Sequence, residues 1–483
     1  YTPIMLNLLG QSEYGLYKLS SSVTSYLSLI SMGIGSAVTR YLIKANTEEG
    51  KDAEEKMLGL FMVIFQVIAI LSFIVGVLLT FNLDIWYAHS LNDLELSRMK
   101  ILVLLMVCNM ALSFSLSPYV SIVNTHERFI FLQCMNIVTT CIGPIMNIVV
   151  LYVGFASIGM TTSTLVISIL TRFVYLYYVK RVMLIKANYK NMPMHLLKEI
   201  LIFSFWIFVA NVVSQLYNAT DTVMIGAIPE LGTVGVAIYN VGGTFNNIVF
   251  SLTTGISSLL GPKTNKMVFS GASNEELTEL AIKVGRLQGY VIALIVTGFI
   301  AFGRPFISLY AGNEYKDAYW VAILMMVPNM IPLVQSICLN VIVAQNKHKF
   351  RSLVYLGIAI TNVIGTWFMM HIWGVIGAAL MTGIAVVIGQ GIIMNWYYWK
   401  KTGLNMLLFW KNVGKIYIIP SIMCIVVLII SYKVNFYKIS YLCFGIVVYT
   451  GIYCLLNWRF VFSIYEKNLI KEPINKIKKV RIR

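Results

Sequence analysis

Charge is scarce in this chain: Asp, Glu, Lys and Arg make up 12% of its 483 residues, and the acidic pair contributes only 20. Beside a hydrophobic share of 58%, that scarcity excludes an ordinary soluble domain, in which about a quarter of residues are charged. Histidine is rare too, with five scattered copies. No His-Glu-x-x-His pair and no Gly-rich phosphate loop ending in Gly-Lys-Ser/Thr occurs, so the motifs of zinc hydrolysis and nucleotide hydrolysis are missing. The seven cysteines, at 108, 134, 141, 338, 424, 443 and 454, fall inside apolar stretches without metal-type spacing and read as small apolar residues. Long polar loops are absent as well, and no catalytic constellation or metal site is read. The chain opens at Tyr1-Thr2-Pro3 without an initiator Met and enters an apolar stub, which we read as the remnant of a first helix whose upstream part lies outside this sequence; no signal peptide is visible.

What remains is apolar sequence in runs of about 20 residues, the length that crosses a bilayer as a helix. Thirteen complete spans are predicted near 15–42, 57–81, 101–123, 129–153, 157–180, 200–225, 234–259, 286–310, 318–344, 352–371, 373–398, 416–432 and 438–459. With the stub they make an all-α integral membrane protein of about 14 transmembrane helices. Short loops rich in Lys and Arg stay on the cytoplasmic side. If the N-terminus is inside, 28 of the 37 basic residues fall in cytoplasmic loops and ends, six in outer loops, and Lys18, Arg40 and Arg172 inside spans. Both termini are therefore expected in the cytoplasm. The net charge of +17 is dispersed over these short loops rather than gathered into a nucleic-acid footprint, and the tail from Lys476 to Arg483 suits anionic membrane lipid.

The chain resembles itself. A shift of 222 residues superposes Leu9 on Leu231, Gly10 on Gly232, Tyr17 on Tyr239, Gly33 on Gly255, Ile34 on Ile256 and Ser36 on Ser258, and a shift of 221 aligns Ile122–Phe129 with Val343–Phe350. A repeat of six helices, an even number, gives two parallel lobes related by an axis along the membrane normal. The expected division is 1–185 for the first lobe, 186–400 for the second, 401–465 for an additional helix pair, and 466–483 for a basic cytoplasmic tail. Substrate is expected between the lobes, with one lobe rocking against the other.

Polar stripes mark the faces of a cavity. Asn240, Thr244, Asn247, Ser251, Thr254 and Ser258 follow one another at steps of four and three, so they share one helical face. At the matching positions the second helix carries Lys18, Ser22, Ser25 and Ser36, with Arg40 one turn further; the seventh has Asn211, Gln215, Asn218 and Asp221 or Thr222. Small polar residues also form the ordinary packing surface between membrane helices. Asn, Gln and charges tip the reading towards function, because a charge at the bilayer centre costs at least about 2.5 kcal/mol. Lys18, Asp221, Arg40 and Arg172 each have a second reading, in which a side chain near a helix end snorkels to the headgroups. Glu127 with Arg128 reads as a solvated loop pair, and Asp84, Asp93 and Glu95 as a solvated acidic face.

The stretch Leu8-Leu9-Gly10-Gln11-Ser12-Glu13-Tyr14-Gly15-Leu16-Tyr17, with Tyr26-Leu27-Ser28-Leu29, Gly33-Ile34-Gly35-Ser36-Ala37 and Arg40-Tyr41, resembles the oligosaccharide flippases of the multidrug, oligosaccharidyl-lipid and polysaccharide exporter superfamily. Asp221 with Ile225-Gly226, Leu231-Gly232, Gly235 with Tyr239, and Ala311-Gly312-Asn313-Glu314-Tyr315 are similar to the second-half pattern of that family. The resemblance implies a flippase that carries an undecaprenyl-pyrophosphate-linked oligosaccharide from the inner to the outer leaflet of a bacterial cytoplasmic membrane, for capsule, O-antigen or a related polysaccharide. It further implies a polymerase and glycosyltransferases as partners and no cofactor beyond a coupling proton, sodium ion or membrane potential. On that reading Arg40, Lys18 and Arg172 meet the anionic headgroup, Asn211, Gln215, Asn218, Asn240 and Asn247 bind sugar hydroxyls with Ser22, Ser25, Ser36, Thr244 and Ser251 on the same faces, and Asp221 carries a coupling cation. An antiporter for cationic drugs would favour acids in the cavity, a lipid-linked peptidoglycan precursor flippase would share the cations, and a membrane glycosyltransferase or polymer ligase would need a large outer loop or an acidic catalytic motif.

Overall fold

The computed structural model describes residues 1–31, 33–345 and 347–469, and within them the side chains of Ser36, Trp206, Ala210, Asn218, Ser258, Leu259, His348 and Lys349 lie outside the described part. The expected basic tail from residue 470 onward also lies outside the described residues. Helix accounts for 88% of the structure, with no strand among the described residues. The reason is the solvent: a bilayer core offers backbone N–H and C=O groups no partner, so each segment closes its own hydrogen bonds.

In chain order the helices are α1 (Thr2–Ser25), α2 (Ile34–Glu49), α3 (Lys51–Phe81), α4 (Leu83–Tyr87), α5 (Asp93–Ser115), α6 (Ser117–Thr125), α7 (Phe129–Tyr152), α8 (Ala156–Tyr177), α9 (Leu197–Asn218) and α10 (Thr220–Ala227). There follow α11 (Gly232–Phe269), α12 (Asn274–Tyr310), α13 (Ala318–Val334), α14 (Ser336–Ala344), α15 (His348–Val386), α16 (Met394–Thr402), α17 (Met406–Gly414), α18 (Ile418–Ile430) and α19 (Ile439–Phe460). Among the described residues nine helical stretches are long and apolar enough to cross a membrane, and α13 with α14, bent by 47°, would make a tenth. The expected runs 15–42 and 234–259 are not among the nine, and both carry the polar stripes. The runs 352–371 and 373–398 lie on one stretch, Phe350–Thr402, which turns at Trp373 and Gly374.

Several spans expected as straight rods are broken. The first polar-stripe run passes from α1 through a 3₁₀ segment, Tyr26–Ser31, to Gly33, whose φ of 70° starts α2; glycine adopts that left-handed conformation without the Cβ penalty. The 101–123 run breaks at Leu116, just before Pro118, and the 318–344 run at Gln335, beyond Pro328 and Pro332. Proline removes a helical donor and clashes with the preceding turn, which accounts for the break ahead of Pro118.

The order of elements runs twice. A polar-striped element (α1 with α2, then α11), a long helix (α3, then α12), a short helical turn, a broken pair (α5–α6, then α13–α14), and a helical stretch ending in a π-helical turn (α7–α8, then α15) occur in that sequence in both halves. The π-helical turns are Tyr178–Val182 and Val387–Ile393.

Two compact units divide the chain at Ala237 and Ile238. In the first, Leu42, Leu58, Phe61, Phe65, Ile122 and Val179 form a continuous core from α2, α3, α6 and the end of α8. In the second, Phe302 of α12 meets Phe436 and Tyr449 edge-on, with ring centroids 5.2 and 5.8 Å apart, and so fastens α18 and α19 to α12. Close backbone approach supplies the rest, as at Gly383, where a Cβ would stand 2.5 Å from the Leu324 carbonyl oxygen; dispersion at such contacts drives helix association where lipid is as apolar as the side chains.

Candidate functional site

The first unit assembles its polar stripes from α1, α2, α9 and α10. On α1, Leu16, Leu19, Ser20, Val23 and Thr24 are buried, while Lys18, Ser22 and Ser25 on the other face are half-buried. The α9 stripe meets this face: the Gln215 amide donates to the Ser25 hydroxyl. One turn on, the Tyr26 and Thr220 hydroxyls share a hydrogen bond of 2.6 Å, and Asp221, 2% exposed, opens α10 beside them. Asn211 is exposed two turns or less from Gln215 on the same helix.

The cations stand apart. Lys18 lies 5.6 Å from the Tyr14 ring centre, and Arg40, exposed on α2, lies 4.6 Å over Phe203 of α9, next to the Tyr41 hydroxyl that donates to Glu199 at 3.0 Å. Lys18 is on α1 and Arg40 on α2, twenty-two positions on, with the 3₁₀ segment Tyr26–Ser31 and Gly33 between them. Arg172 sits half-buried on α8, with no hydrogen-bond or ion-pair partner among the described residues.

In the second unit, the α11 stripe lies on the less buried face. Asn240, Thr244 and Thr254 are half-buried and Asn247 and Ser251 exposed, whereas Val241, Gly242, Phe245, Val249 and Thr253 on the other face are buried. The Thr244 and Ser251 hydroxyls donate to the carbonyls of Asn240 and Asn247, which leaves their oxygens as acceptors towards the open side.

Sequence reasoning missed three polar clusters. Ser12, Glu13 and Glu95, quoted above as motif or solvated face, form a latch: Ser12 and Thr233 both donate to Glu95, the latter at 3.2 Å, while Glu13 accepts from Arg98 at 2.8 Å and from Ser157. Glu95 also completes a capping box with Asn92 at the start of α5. The acidic face is thus largely spoken for, with Asp84 paired to Lys100 at 2.7 Å. Against that latch Gly15 approaches so closely that a Cβ would stand 1.8 Å from the Thr233 carbonyl oxygen. Secondly, Glu54, fully buried in α3, holds His126 Nε2 at 3.0 and 3.1 Å through its two oxygens; the neighbouring Glu127 and Arg128 are exposed, as the loop-pair reading expected. Thirdly, Arg286 grips Glu466. Residues 83, 72 and 180 positions apart make these pairs, and only the S/T-x-x-E-type capping signature at Asn92 was legible locally.

No group of three or more His, Cys, Asp or Glu side chains that could hold a metal occurs among the described residues. The site is a set of hydroxyl- and amide-lined helix faces with a cation near each end of one of them. Such faces can solvate a polyhydroxylated, anionic headgroup.

Comparison with known proteins agrees in fold. The structure of a lipid II flippase MurJ in an inward closed conformation superposes with a TM-score of 0.73 at 17% identity, covering 97% of this chain and 96% of that one. An inward-facing multidrug resistance MATE family transporter of the MOP superfamily gives 0.65 at 14% identity over 84% and 94%, and the Vibrio cholerae MATE transporter VcmN in its bent form 0.52 at 15% over 85% and 97%. Among curated proteins none matches the sequence. The model of the family described as polysaccharide biosynthesis protein matches residues 1–262. With more than half of its length so matched, and with the multi-pass fold of flippase-type transporters, this chain belongs to the polysaccharide biosynthesis protein family.

Proposed function

We propose that the protein flips an undecaprenyl-pyrophosphate-linked oligosaccharide from the inner to the outer leaflet of a bacterial cytoplasmic membrane by alternating access, with both termini in the cytoplasm. The observation that carries this reading is the chemistry of the striped faces: hydroxyls and amides on α1, α9 and α11, a cation near each end of the α1–α2 rod, and one acid, Asp221. Sugar hydroxyls match Asn and Gln, which donate and accept at once, and a pyrophosphate matches Arg40 at one end and Lys18 at the other as the headgroup crosses. A cationic drug would find few acids to meet it. Asp221 is the candidate for a coupling proton or sodium ion, membrane potential being the alternative drive. The repeated element order supports two parallel lobes, with division near residue 185, that rock to expose the stripes in turn. A transporter of this kind acts without enzymatic chemistry, between glycosyltransferases that build the repeat unit and a polymerase that consumes it.

A second reading, a lipid-linked peptidoglycan precursor as cargo, is favoured by the MurJ likeness over nearly the whole chain. Leaflet labelling separates the two. In cells depleted of the protein, a membrane-impermeant sugar label should reach complete repeat units only after permeabilisation. Normal outer-leaflet labelling of those units, with lipid-linked peptidoglycan precursor trapped inside instead, would replace the first reading by the second. Arg40→Glu should abolish export while membrane insertion persists; unchanged polymer export would remove Arg40 from the path.

A further inference from the structure

In the second unit a cavity of about 760 Å³ opens between the start of α12, the α17–α18 junction and the end of α19. Its floor is closed electrostatically. Arg286 donates to the Glu466 carboxylate at 2.7 and 3.0 Å, to the Val461 carbonyl at 2.8 Å, to the Asn412 carbonyl at 3.2 Å and to the Tyr290 hydroxyl at 2.7 Å. These bonds engage all three nitrogens of Arg286 and tie the walls of the cavity together. The rim is different. Lys415 is exposed and has no hydrogen-bond or ion-pair partner among the described residues, while Lys283 pairs with Glu279, an i,i+4 pair whose side chains are 42% and 65% exposed, and lies 5.4 Å from the Tyr465 ring centre. Below the rim the lining turns apolar, with Ile418 and Phe460 57% and 68% exposed.

Two lysines above an apolar slot form an amphipathic site at a fixed depth, because α12 and α19 are spans and the cavity sits at one end of both. That end also carries Lys400, Lys401, Lys411 and Arg459, the excess that marks a cytoplasmic face, where the leaflet is rich in anionic lipid. The chain's own continuation makes a poor occupant, since the sequence after residue 469 is basic and Lys471, Lys476, Lys478 and Lys479 have the same sign of charge as the rim.

The geometry points to a resident anionic phospholipid in this cavity, its phosphate between Lys415 and Lys283 and an acyl chain along Ile418 and Phe460, tying α17–α19 to α12. The site is separate from the striped faces and goes beyond the transport reading. Its test uses the full chain in nanodiscs that contain phosphatidylglycerol and phosphatidylcholine of equal chain length, followed by native mass spectrometry of the lipid retained on release. The wild type should keep phosphatidylglycerol preferentially. Lys415→Ala should cut that preference three- to tenfold, and Lys283→Ala with Lys415→Ala should abolish it; Lys433→Ala with Lys438→Ala, at the far end of α18 and α19, should leave it unchanged. Lys415 is exposed and unbonded, so its variant reports binding rather than folding, and an unaltered tryptophan-fluorescence melt in detergent without added lipid checks this. Equal retention in the Lys415→Ala and wild-type proteins would overturn the site. So would complete displacement of the lipid by inorganic phosphate, which would show an anion site without an acyl slot.

Discussion

Gly15→Ala should unlock the latch at the start of α11. A methyl group at Gly15 would stand 1.8 Å from the Thr233 carbonyl oxygen, where ordinary carbon–oxygen contact needs about 3.3 Å or more. The obstacle is backbone, so no rotamer change relieves it, and α1 must withdraw from the start of α11 by roughly 1.5 Å. Overpacking of this kind costs about 1–3 kcal/mol. The same displacement stretches what Ser12 on α1 makes with its neighbours, its bond to Glu95 and its contact with Thr233 at 3.1 Å, at about 1 kcal/mol for each bond lost. Gly15 and Thr233 fall on either side of the proposed division near residue 185, so if rocking breaks this contact in one state, a cost of about 3 kcal/mol borne by the closed state alone moves the equilibrium by roughly a hundredfold. A single cysteine in place of Val236, buried at the start of α11 and outside the latch, in a background whose seven native cysteines are replaced, reads that shift through a membrane-impermeant thiol reagent. Labelling should rise steeply when Gly15→Ala is added, while membrane insertion stays intact. Unchanged labelling together with unchanged export would refute the reasoning, because it would mean that α1 had already been free to withdraw.

Other outcomes follow from the same structure. Replacing His126 with Ala leaves the Glu54 carboxylate fully buried without its partner and should destabilise by about 3–5 kcal/mol, whereas Glu54→Gln, which removes the charge as well, should cost less; paired thermal melts in detergent decide the order. Burial pushes the Glu466 carboxyl up, but its hydrogen bonds from Arg286 and Ser463 outweigh this and hold it below its usual 4.5. A carboxyl depressed in the folded state adds stability that is present above 4.5 and lost as pH falls through the lower folded value. Melting temperature should therefore drop on acidification below about 4.5, and Glu466→Gln should flatten that drop while lowering stability at neutral pH. Gln215→Leu removes the donor to Ser25 and, if α9 serves sugars, should lower export more than it lowers protein abundance, measured by polymer and immunoblot from the same cells.

Which polar residues share a helical face was legible because helical periodicity is local. Steps of four and three place Asn240, Thr244, Asn247 and Ser251 on one face whatever surrounds them, and in the structure that face is the less buried one. The motif around Gly10 and Gly15 was visible as a pattern, but its physical reason was not: Glu13 needs Arg98 and Ser157, and Ser12 needs Glu95 and Thr233. Nothing within a dozen residues of either announces those partners. Lys18 and Arg40 were legible as members of one polar run, but the 3₁₀ segment Tyr26–Ser31 and the left-handed Gly33 that interrupt that run between them were not.

Apolar runs of bilayer length, the scarcity of charge and the doubled pattern of glycines determined by themselves that this is a multi-pass helical protein built as a repeat, because the bilayer leaves a hydrophobic segment hardly any alternative to a helix. Tertiary structure decided which of the chain's many glycines and prolines mark a break, as at Gly33, Leu116 and Trp373–Gly374, and which distant acids are spent on Arg98, His126 and Arg286. Breaks depend on what neighbouring helices can re-satisfy, and ion pairs on atoms brought together only by packing; neither quantity has a period along the chain.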